Sequence, residues 1–163
     1  MSLQPCRPPP ELAFVHEDPA HAAEIEALLN RAFGPGRFAK VSERVREFAD
    51  FAPDLSFCAV EEGRVVGVCR MWRVAAGDRP AVFLGPLAVE ESERSHGLGA
   101  RLVEQACSAS EAAGEPVVVL VGDLPYFQRV GFAVASDVGL PGPVDPRRVL
   151  YRGSTPAGMI RAR

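Results

Sequence analysis

The fold of this chain depends on the stretch Arg94-Ser95-His96-Gly97-Leu98-Gly99. Before it, residues 81–89 form a nearly continuous apolar run that is too short for a helix and rich in strand-forming residues, which is typical of a strand buried on both faces. After it, apolar residues recur at helical spacing as far as Ala113, with polar residues on the other side. The sequence therefore predicts a buried strand, a glycine-containing turn and an amphipathic helix in succession.

The two glycines of this turn stand where the predicted helix begins. The first N–H groups of a helix are unpaired and carry about half a positive charge, so this end suits a phosphate group. Glycine at positions 97 and 99 also removes the Cβ atoms that would hold a pyrophosphate away from the backbone. A plain helix start remains the alternative. A dinucleotide-binding fingerprint would need a third small residue where Leu102 stands, and a P-loop would need a Gly-Lys-Ser/Thr that the chain lacks.

A second buried strand, at residues 116–122, follows the helix, and the segment Tyr126-Phe-Gln-Arg-Val-Gly-Phe132 comes next. This order of motifs closely resembles the GCN5-related N-acetyltransferase (GNAT) superfamily, in the form found in small bacterial acetyltransferases. The resemblance covers the acetyl-CoA-binding core, about residues 81–134. It implies an α/β fold with a mixed, mostly antiparallel sheet of six to seven strands, flanked by helices and splayed at the central parallel pair.

The rest of the chain supplies the other elements that this fold needs. Patterns predict strands at residues 12–15, 133–135 and 149–152, helices after Asp18-Pro19 and from Val41 to Phe48, an irregular loop at 136–146, and a hairpin made of 56–61 and 64–74. Residues 1–10, with four prolines, are expected to form a loose arm. Residues 11–154 are expected to form a single N-acetyltransferase domain, and residues 155–163 a tail that frays.

Composition narrows the classes of partner. The net charge of −3 and the lack of a dense basic run argue against nucleic acid or an anionic membrane as partner. No apolar run approaches a membrane span and the N-terminus lacks a signal-peptide core, so we expect a cytoplasmic protein, as a monomer or a homodimer. Its four cysteines show no spacing typical of a metal site.

Two of the cysteines lie on the predicted hairpin. With Glu61 opposite Arg64, Cys58 falls opposite Gly67 and Ser56 opposite Cys69, which places both thiols on one face of the sheet. A Cys58–Cys69 disulfide is therefore conceivable. Reduced core thiols are the expectation for a cytosolic protein.

The resemblance also implies where acetyl-CoA binds. The central strand is expected to bulge near Gly85-Pro86, and Pro86 independently suits a bulge because it cannot donate to a strand ladder. The bulge would leave the backbone of Leu87, Ala88 and Val89 unpaired on one side, where the pantetheine arm is held. The pyrophosphate would lie on the glycine turn, and the remaining predicted cofactor-binding residues are Arg94, Ser95, His96, Gly97, Leu98, Gly99, Ala100 and Phe127.

For catalysis, the superfamily's usual proton donor to the leaving thiolate is a tyrosine four residues before the Gly-Phe pair. That position is Phe127 here, and Tyr126, one residue earlier, is the candidate catalytic residue. The strand position of the base in histone-type members corresponds to Phe83. Carboxylates that could instead act through water are Glu90, Glu91 and Asp123, with solvated surface groups as the alternative.

The predicted function is transfer of an acetyl group from acetyl-CoA to a primary amine of a small molecule or peptide. The alternative is a catalytically weak domain that binds acetyl-CoA as a sensor or structural ligand. In the superfamily, the link between the first two helices borders the acceptor. Arg37 and Lys40, in this link, could meet an acidic acceptor there or be ordinary solvated loop charges.

Overall fold

The central strand of the protein, Arg79–Val89 (β5), organises a mixed sheet. In the computed structural model, which describes residues 11–163 apart from the side chain of Ser95, β5 pairs antiparallel with Arg64–Ala76 (β4) and parallel with Val117–Val121 (β6). Residues 81–85 of β5 are buried because helices cover both faces of the sheet there. The predicted parallel pair is confirmed.

The other strands extend the sheet on both sides of this pair. They are Leu12–His16 (β1), Asp50–Phe51 (β2), Phe57–Glu61 (β3), Ala133–Val134 (β7), Val138–Gly139 (β8), Val149–Gly153 (β9) and Gly158–Arg161 (β10). Within the described residues the main order is β1-β3-β4-β5-β6-β9-β7, while β2, β8 and β10 are short additions. Along this main order every pair except β5–β6 is antiparallel, which confirms the predicted sheet.

Within residues 11–163, four α-helices flank the sheet: Ala22–Phe33 (α1), Val41–Phe48 (α2), Leu98–Ala112 (α3) and Leu124–Gln128 (α4). The buried side of α3 packs with Leu84 and Leu120 on one face. On the other face, α2 packs with Phe83 and Val119, and α1 packs with Val68. Among residues 11–163, no helix combines the length and the apolar character that crossing a membrane requires.

The hairpin of β3 and β4 begins as predicted but does not keep the predicted register. Glu61 pairs with Arg64 across a tight turn, and Val66 is then an extra residue that bulges out of β4. The bulge shifts the pairing by one residue, so that Cys58 lies opposite Val68, and Phe57, not Ser56, lies opposite Cys69. The predicted pairing was wrong because alternation in a sequence does not reveal where an extra residue is inserted.

The shifted register separates the two cysteines of the hairpin. Cys58 packs beneath α1 and Cys69 packs beneath α3, on opposite faces of the sheet. Both thiols are free and buried, as is that of Cys107. A Cys58–Cys69 disulfide is therefore absent from the part of the chain that the structure describes.

The C-terminal residues form part of the sheet, contrary to the predicted tail at 155–163. Strand β10 pairs with the end of β4, and Ile160 is buried. The Arg163 guanidinium donates to the carbonyl oxygens of Val74 and Ala81, at 3.0 Å and 2.7 Å. A four-residue strand is too short to show a clear period in sequence. The loop at 136–146 likewise contains a short strand, β8, which pairs parallel with β10. The predicted arm at 1–10 lies outside the described residues.

Candidate active site

The two central strands, β5 and β6, pair over a short stretch and then separate. Strands β5 and β6 pair only at Val82 with Val118 and at Phe83 with Val119. On the other side of β5, Met71 lies opposite Leu84 and Cys69 opposite Leu87, so the segment Gly85-Pro86 forms a bulge. Gly85 has φ +142°, a backbone conformation that other residues rarely adopt. The bulge is where it was predicted, and it accompanies an open gap between β5 and β6.

The indole of Trp72 forms a hydrogen bond with the backbone of this bulge. Its Nε1 donates a hydrogen bond of 2.6 Å to the Gly85 carbonyl oxygen. Without this donor, a backbone carbonyl at a break in the ladder would depend on another partner. A contact between a side chain and the backbone across two strands has no signature in sequence.

The backbone beyond the bulge presents donors to the gap. The Glu90 N–H donates to the Val66 carbonyl oxygen on β4, and the pairing from Leu87 to Val89 is regular. Hydrogen-bonding direction alternates along a strand, so the N–H groups of Leu87 and Val89 point away from β4, towards the gap. The N–H of Ala88 points to β4. Of the three predicted residues, Leu87 and Val89 therefore offer backbone groups to the gap.

The glycine turn and the start of α3 border the same region. A 3₁₀-helix, Glu91–His96, separates β5 from α3, so the strand does not lead directly into the helix. Gly97 then adopts a left-handed conformation with φ +71°, which favours glycine. A Cβ at Gly97 would meet no atom within 4 Å. The space beside Gly97, where α3 begins, is thus open to an anion.

The predicted side chains at this turn are mostly exposed. Arg94 lies on the surface, and His96 Nδ1 is 3.6 Å from a carboxylate oxygen of Glu93. Leu98 and Gly99 are buried at the first turn of α3. The described groups of the turn that could contact a phosphate are therefore its backbone amides and the exposed side chains of Arg94 and His96.

Tyr126 and Phe127 point to different parts of the site. A Cβ built on Gly99 would lie 2.3 Å from the Tyr126 hydroxyl, so this hydroxyl lies against the first turn of α3. Burial raises the pKa of Tyr126 above its ordinary value, and its hydroxyl keeps its proton at neutral pH. The Phe127 ring packs against Gly122, edge-on to the ring of Tyr126. Phe127 lines the cavity described next, whereas Tyr126 does not.

A cavity of about 700 Å³ lies on the side of the sheet covered by α1 and α2. This volume falls within the range of about 300–1,000 Å³ that small-molecule sites occupy. Leu84, Leu120 and Phe127 line the cavity and also belong to the core beneath α3. The cavity therefore reaches into the gap between β5 and β6 from the side opposite α3.

The cavity carries many charged side chains. Its basic lining residues are Arg37, Lys40, Arg46, Arg70 and Arg148, and its acidic ones are Glu26, Glu43, Glu47, Asp123 and Asp145. The side chains of Arg37, Arg46 and Arg70 are only 10%, 10% and 18% exposed, whereas the acidic side chains are between 26% and 76% exposed. Arg148 is 50% exposed, and Lys40 is exposed as well. Three poorly exposed arginines thus lie deep in the cavity, and its rim carries the acidic side chains together with Lys40 and Arg148.

Arg37 is not a solvated loop charge. It is buried, and its Nη2 donates to Glu26 at 2.7 Å. Lys40 is exposed, with its ammonium 4.7 Å from the centre of the Phe33 ring. The sequence missed Arg46 and Arg70, which also line the cavity, because the patterns of a helix and a strand do not show which arginine is buried.

The candidate basic groups do not converge. Asp123 lines the cavity with an exposed side chain, Glu90 pairs with Arg31 outside the cavity, and Glu91 is exposed. Phe83 is fully buried in the core beneath α2. Of the predicted carboxylates, only Asp123 faces the space where an acceptor could lie.

The chain is similar in sequence to known acetyltransferases. Residues 22–132, more than half of the chain, match the family model described as the acetyltransferase (GNAT) family. The chain is 34% identical over 123 residues to the uncharacterized N-acetyltransferase YhbS of Escherichia coli (strain K12), covering 74% of this chain and 72% of YhbS. It is 31% identical over 131 residues to the uncharacterized N-acetyltransferase YjhQ of the same organism, covering 77% and 72%.

Solved structures show the same likeness. The crystal structure of Escherichia coli YhbS in complex with CoA superposes with a TM-score of 0.80 at 25% identity, covering 98% of this chain and 94% of that chain. A GNAT-family acetyltransferase from Brucella melitensis in complex with acetyl-CoA has the same fold, with a TM-score of 0.70 at 23% identity over 94% and 96% of the two chains.

Proposed function

Because this chain belongs to the acetyltransferase (GNAT) family, we propose that it transfers an acetyl group from acetyl-CoA to a primary amine of a small molecule or peptide. One observation carries the proposal. The gap between β5 and β6 has the glycine turn and α3 on one side of the sheet and the 700 Å³ cavity on the other. Acetyl-CoA and acceptor could thus approach the gap from opposite faces.

The residues of this chain fit acetyl-CoA. The N–H groups of Leu87 and Val89 face the gap, where a pantetheine arm could replace the missing neighbouring strand. The first amides of α3 suit a pyrophosphate, with Arg94 as an added positive charge. The binding of CoA by the related YhbS supports this assignment.

Three groups of this chain would promote the transfer, for which acetyl-CoA supplies an activated thioester. The N–H of Leu87 would stabilise negative charge on the carbonyl oxygen, a role worth about 3 kcal/mol. The protonated Tyr126 hydroxyl, which lies against the first turn of α3, could assist the leaving sulfur, but we do not expect it to be essential. A thiol has a pKa near 8.5 and leaves tolerably without help, so Phe127 is compatible with activity. Asp123 could accept the amine proton through water.

The test measures acetyl-CoA binding and turnover separately. Acetyl-CoA at about a hundredfold excess over its Kd should add about 2.7 kcal/mol of stability. Release of free CoA should then exceed the background of thioester hydrolysis when amine acceptors are added. Absence of binding would contradict the proposal as a whole.

The alternative is a domain that binds acetyl-CoA without efficient turnover. Phe127, at the position of the usual tyrosine, is the observation that favours it. Binding without amine-dependent CoA release, across a broad acceptor panel, would decide for this alternative. A cytoplasmic location, a single domain that begins at residue 11 and includes β10, and a monomer or homodimer remain parts of the proposal.

A further inference from the structure

The deep end of the cavity concentrates positive charge at one point. Arg37 comes from the link between α1 and α2, Arg46 from α2 and Arg70 from β4. The three guanidiniums are close enough that Arg37 and Arg70 each help lower the pKa of Arg46, after burial as the first cause. Three cations from three elements therefore share one poorly solvated space.

The arginines differ in how fully their donor groups are hydrogen-bonded. Arg70 forms a two-pronged pair with Glu17, whose side chain is only 9% exposed, so its charge is already matched. Arg37 bonds to Glu26 through Nη2, but its buried Nε has no partner among the described residues. A buried polar group without a partner costs about 1–3 kcal/mol. The site thus holds unused donors where solvent is scarce.

Arg46 carries the most informative unused donor. Its Nε and Nη2 both donate to a single oxygen of Glu43, at 3.2 Å and 3.0 Å. Its Nη1 makes no hydrogen bond within residues 11–163, and it lies 3.5 Å from where a Cβ on Gly85 would stand. Arg46 therefore points an unpaired N–H₂ group at the bulge that begins the gap.

The bulge fixes how far this donor lies from the reacting centre. Gly85 and Leu87 are two residues apart, so their Cα atoms are at most roughly 7 Å apart. An anion bound at Arg46 would therefore lie within a few bonds of an amine that attacks beside Leu87. The lining also includes Phe33, Phe38 and Trp72, which offer apolar surface for a side chain.

From this arrangement we infer that the acceptor is a free amino acid with an apolar side chain, whose carboxylate is bound by Arg46 next to the reacting amine. The inference rests on the proposed function and specifies its acceptor. The planar guanidinium suits a carboxylate better than it suits any neutral group. At the rim, five carboxylates outnumber the two exposed cations, Lys40 and Arg148, so the rim would disfavour acceptors that carry a second negative charge far from the amine.

The test compares each amino acid with its own amide. L-leucine, L-methionine and L-phenylalanine are assayed against the corresponding amides by CoA release. The amide is a stringent control, since its amine resembles a peptide α-amino group with a pKa near 8 and is more often neutral at the assay pH. We expect kcat/KM to favour the acids by about 10–100-fold, the value of a hydrogen bond between charged groups.

Variants at position 46 test whether Arg46 causes the preference for acids over amides. Arg46→Gln should reduce the acid-to-amide ratio to near one, and Arg46→Lys, which keeps the charge but loses the planar fork, should give an intermediate ratio. Arg44→Gln is the matched control, because Arg44 lies on the same helix, is exposed and lies outside the cavity lining. It should keep the wild-type ratio. Acetyl-CoA-induced stabilisation of each variant reports whether it folds and binds the cofactor.

A binding measurement makes the outcome independent of turnover. In the presence of CoA, N-acetyl-L-leucine should bind to the wild type at least tenfold more tightly than N-acetyl-L-leucinamide, and Arg46→Gln should remove the difference. Equal use or equal binding of acids and amides, or a ratio unchanged in Arg46→Gln, would overturn the inference while leaving the acetyltransferase proposal intact. Failure of the wild type to bind acetyl-CoA would instead contradict the proposed function.

Discussion

Tyr126 and Phe127 stand next to each other in the chain, yet they serve different parts of the molecule. The Tyr126 hydroxyl lies at the first turn of α3, and the Phe127 ring lines the 700 Å³ cavity and packs on Gly122. A rotation of about 100° per helical residue separates two neighbours in this way. The Tyr126 hydroxyl therefore does not lie in the position of the Phe127 ring.

The first prediction tests these two rings. Tyr126→Phe should lower kcat by less than about tenfold, whereas loss of a positioned acid would cost about 10²–10⁴-fold. Phe127→Tyr should raise kcat or leave it unchanged, most clearly below the thiol pKa, where protonation of the leaving group helps most. Steady-state kinetics with acetyl-CoA measure both. A hundredfold loss of kcat in Tyr126→Phe, with acetyl-CoA affinity intact, would instead make Tyr126 the acid.

The second prediction concerns the thiols. Burial raises the pKa of Cys58 and of Cys107 to about 12 and raises that of Cys69 as well. These three thiols should react slowly with a thiol reagent at pH 8 in the native protein, because the thiolate is the reactive form. After unfolding without reductant, all four cysteines should react. Recovery of only two thiols would reveal a disulfide.

At the scale of elements, the site depends on the connection between strand β5 and helix α3. The bulge at Gly85-Pro86, held by Trp72, accompanies the opening of β5 from β6. The 3₁₀-helix and Gly97 then turn the chain so that α3 begins beside that opening. The amides of one element and the unpaired edge of another thus face the same space.

The third prediction tests the turn at Gly97, which connects β5 to α3. Gly97→Glu should abolish stabilisation by acetyl-CoA, expected to be roughly 5–10 °C in Tm for this chain length, because the carboxylate repels phosphate. Gly97→Ala is the matched control, since both variants carry the same cost of about 1–2 kcal/mol for a left-handed residue. It should keep most of the shift. An unchanged shift in Gly97→Glu would place the cofactor elsewhere.

At the scale of the whole molecule, the C-terminal residues join the sheet beside β4. Strand β10 pairs with β4, and Arg163 joins Glu115 while also donating to carbonyl oxygens of β4 and β5. Glu115, whose side chain is 9% exposed, also bonds to Arg73. Arg163 is the first cause that lowers the pKa of Glu115, with Arg73 contributing less.

The fourth prediction follows from the sign of that pKa shift. A lowered pKa means that the Glu115 carboxylate stabilises the fold above its unfolded pKa of about 4.3, and that this contribution is lost as the pH falls through the lower folded pKa. Arg163→Met should therefore cost about 2 kcal/mol at pH 7, or roughly 4–8 °C in Tm. The difference from wild type should shrink as the pH falls from 7 to 3.

Arg161→Met is the control for this experiment. Arg161 lies on the same strand, but its ion-pair partner Asp78 is fully exposed. Its loss should cost less than about 1 kcal/mol. A destabilisation by Arg163→Met that is as large at pH 3 as at pH 7 would show that the pair with Glu115 contributes nothing.

The sequence by itself determined the elements whose signal is local. The apolar run of β5, the period of α3, the glycine turn and the bulge at Gly85-Pro86 are each encoded within about fifteen residues. The position of Phe127 relative to Gly131 likewise exposed the departure from the usual tyrosine. These features sufficed for the family, the fold class and the predicted cofactor face.

The tertiary structure alone decided what depends on distant segments. The bulge at Val66 moved Cys58 and Cys69 to opposite faces, and pairing with β4 ordered β10. The sequence did not reveal the 700 Å³ cavity for the same reason, because Arg37, Arg46 and Arg70 come from three separate elements. An arginine has the same identity in the sequence whether it is solvated or buried. Only the packing of a helix, a link and a strand around one space removes water from it and leaves a donor such as Arg46 Nη1 for a ligand.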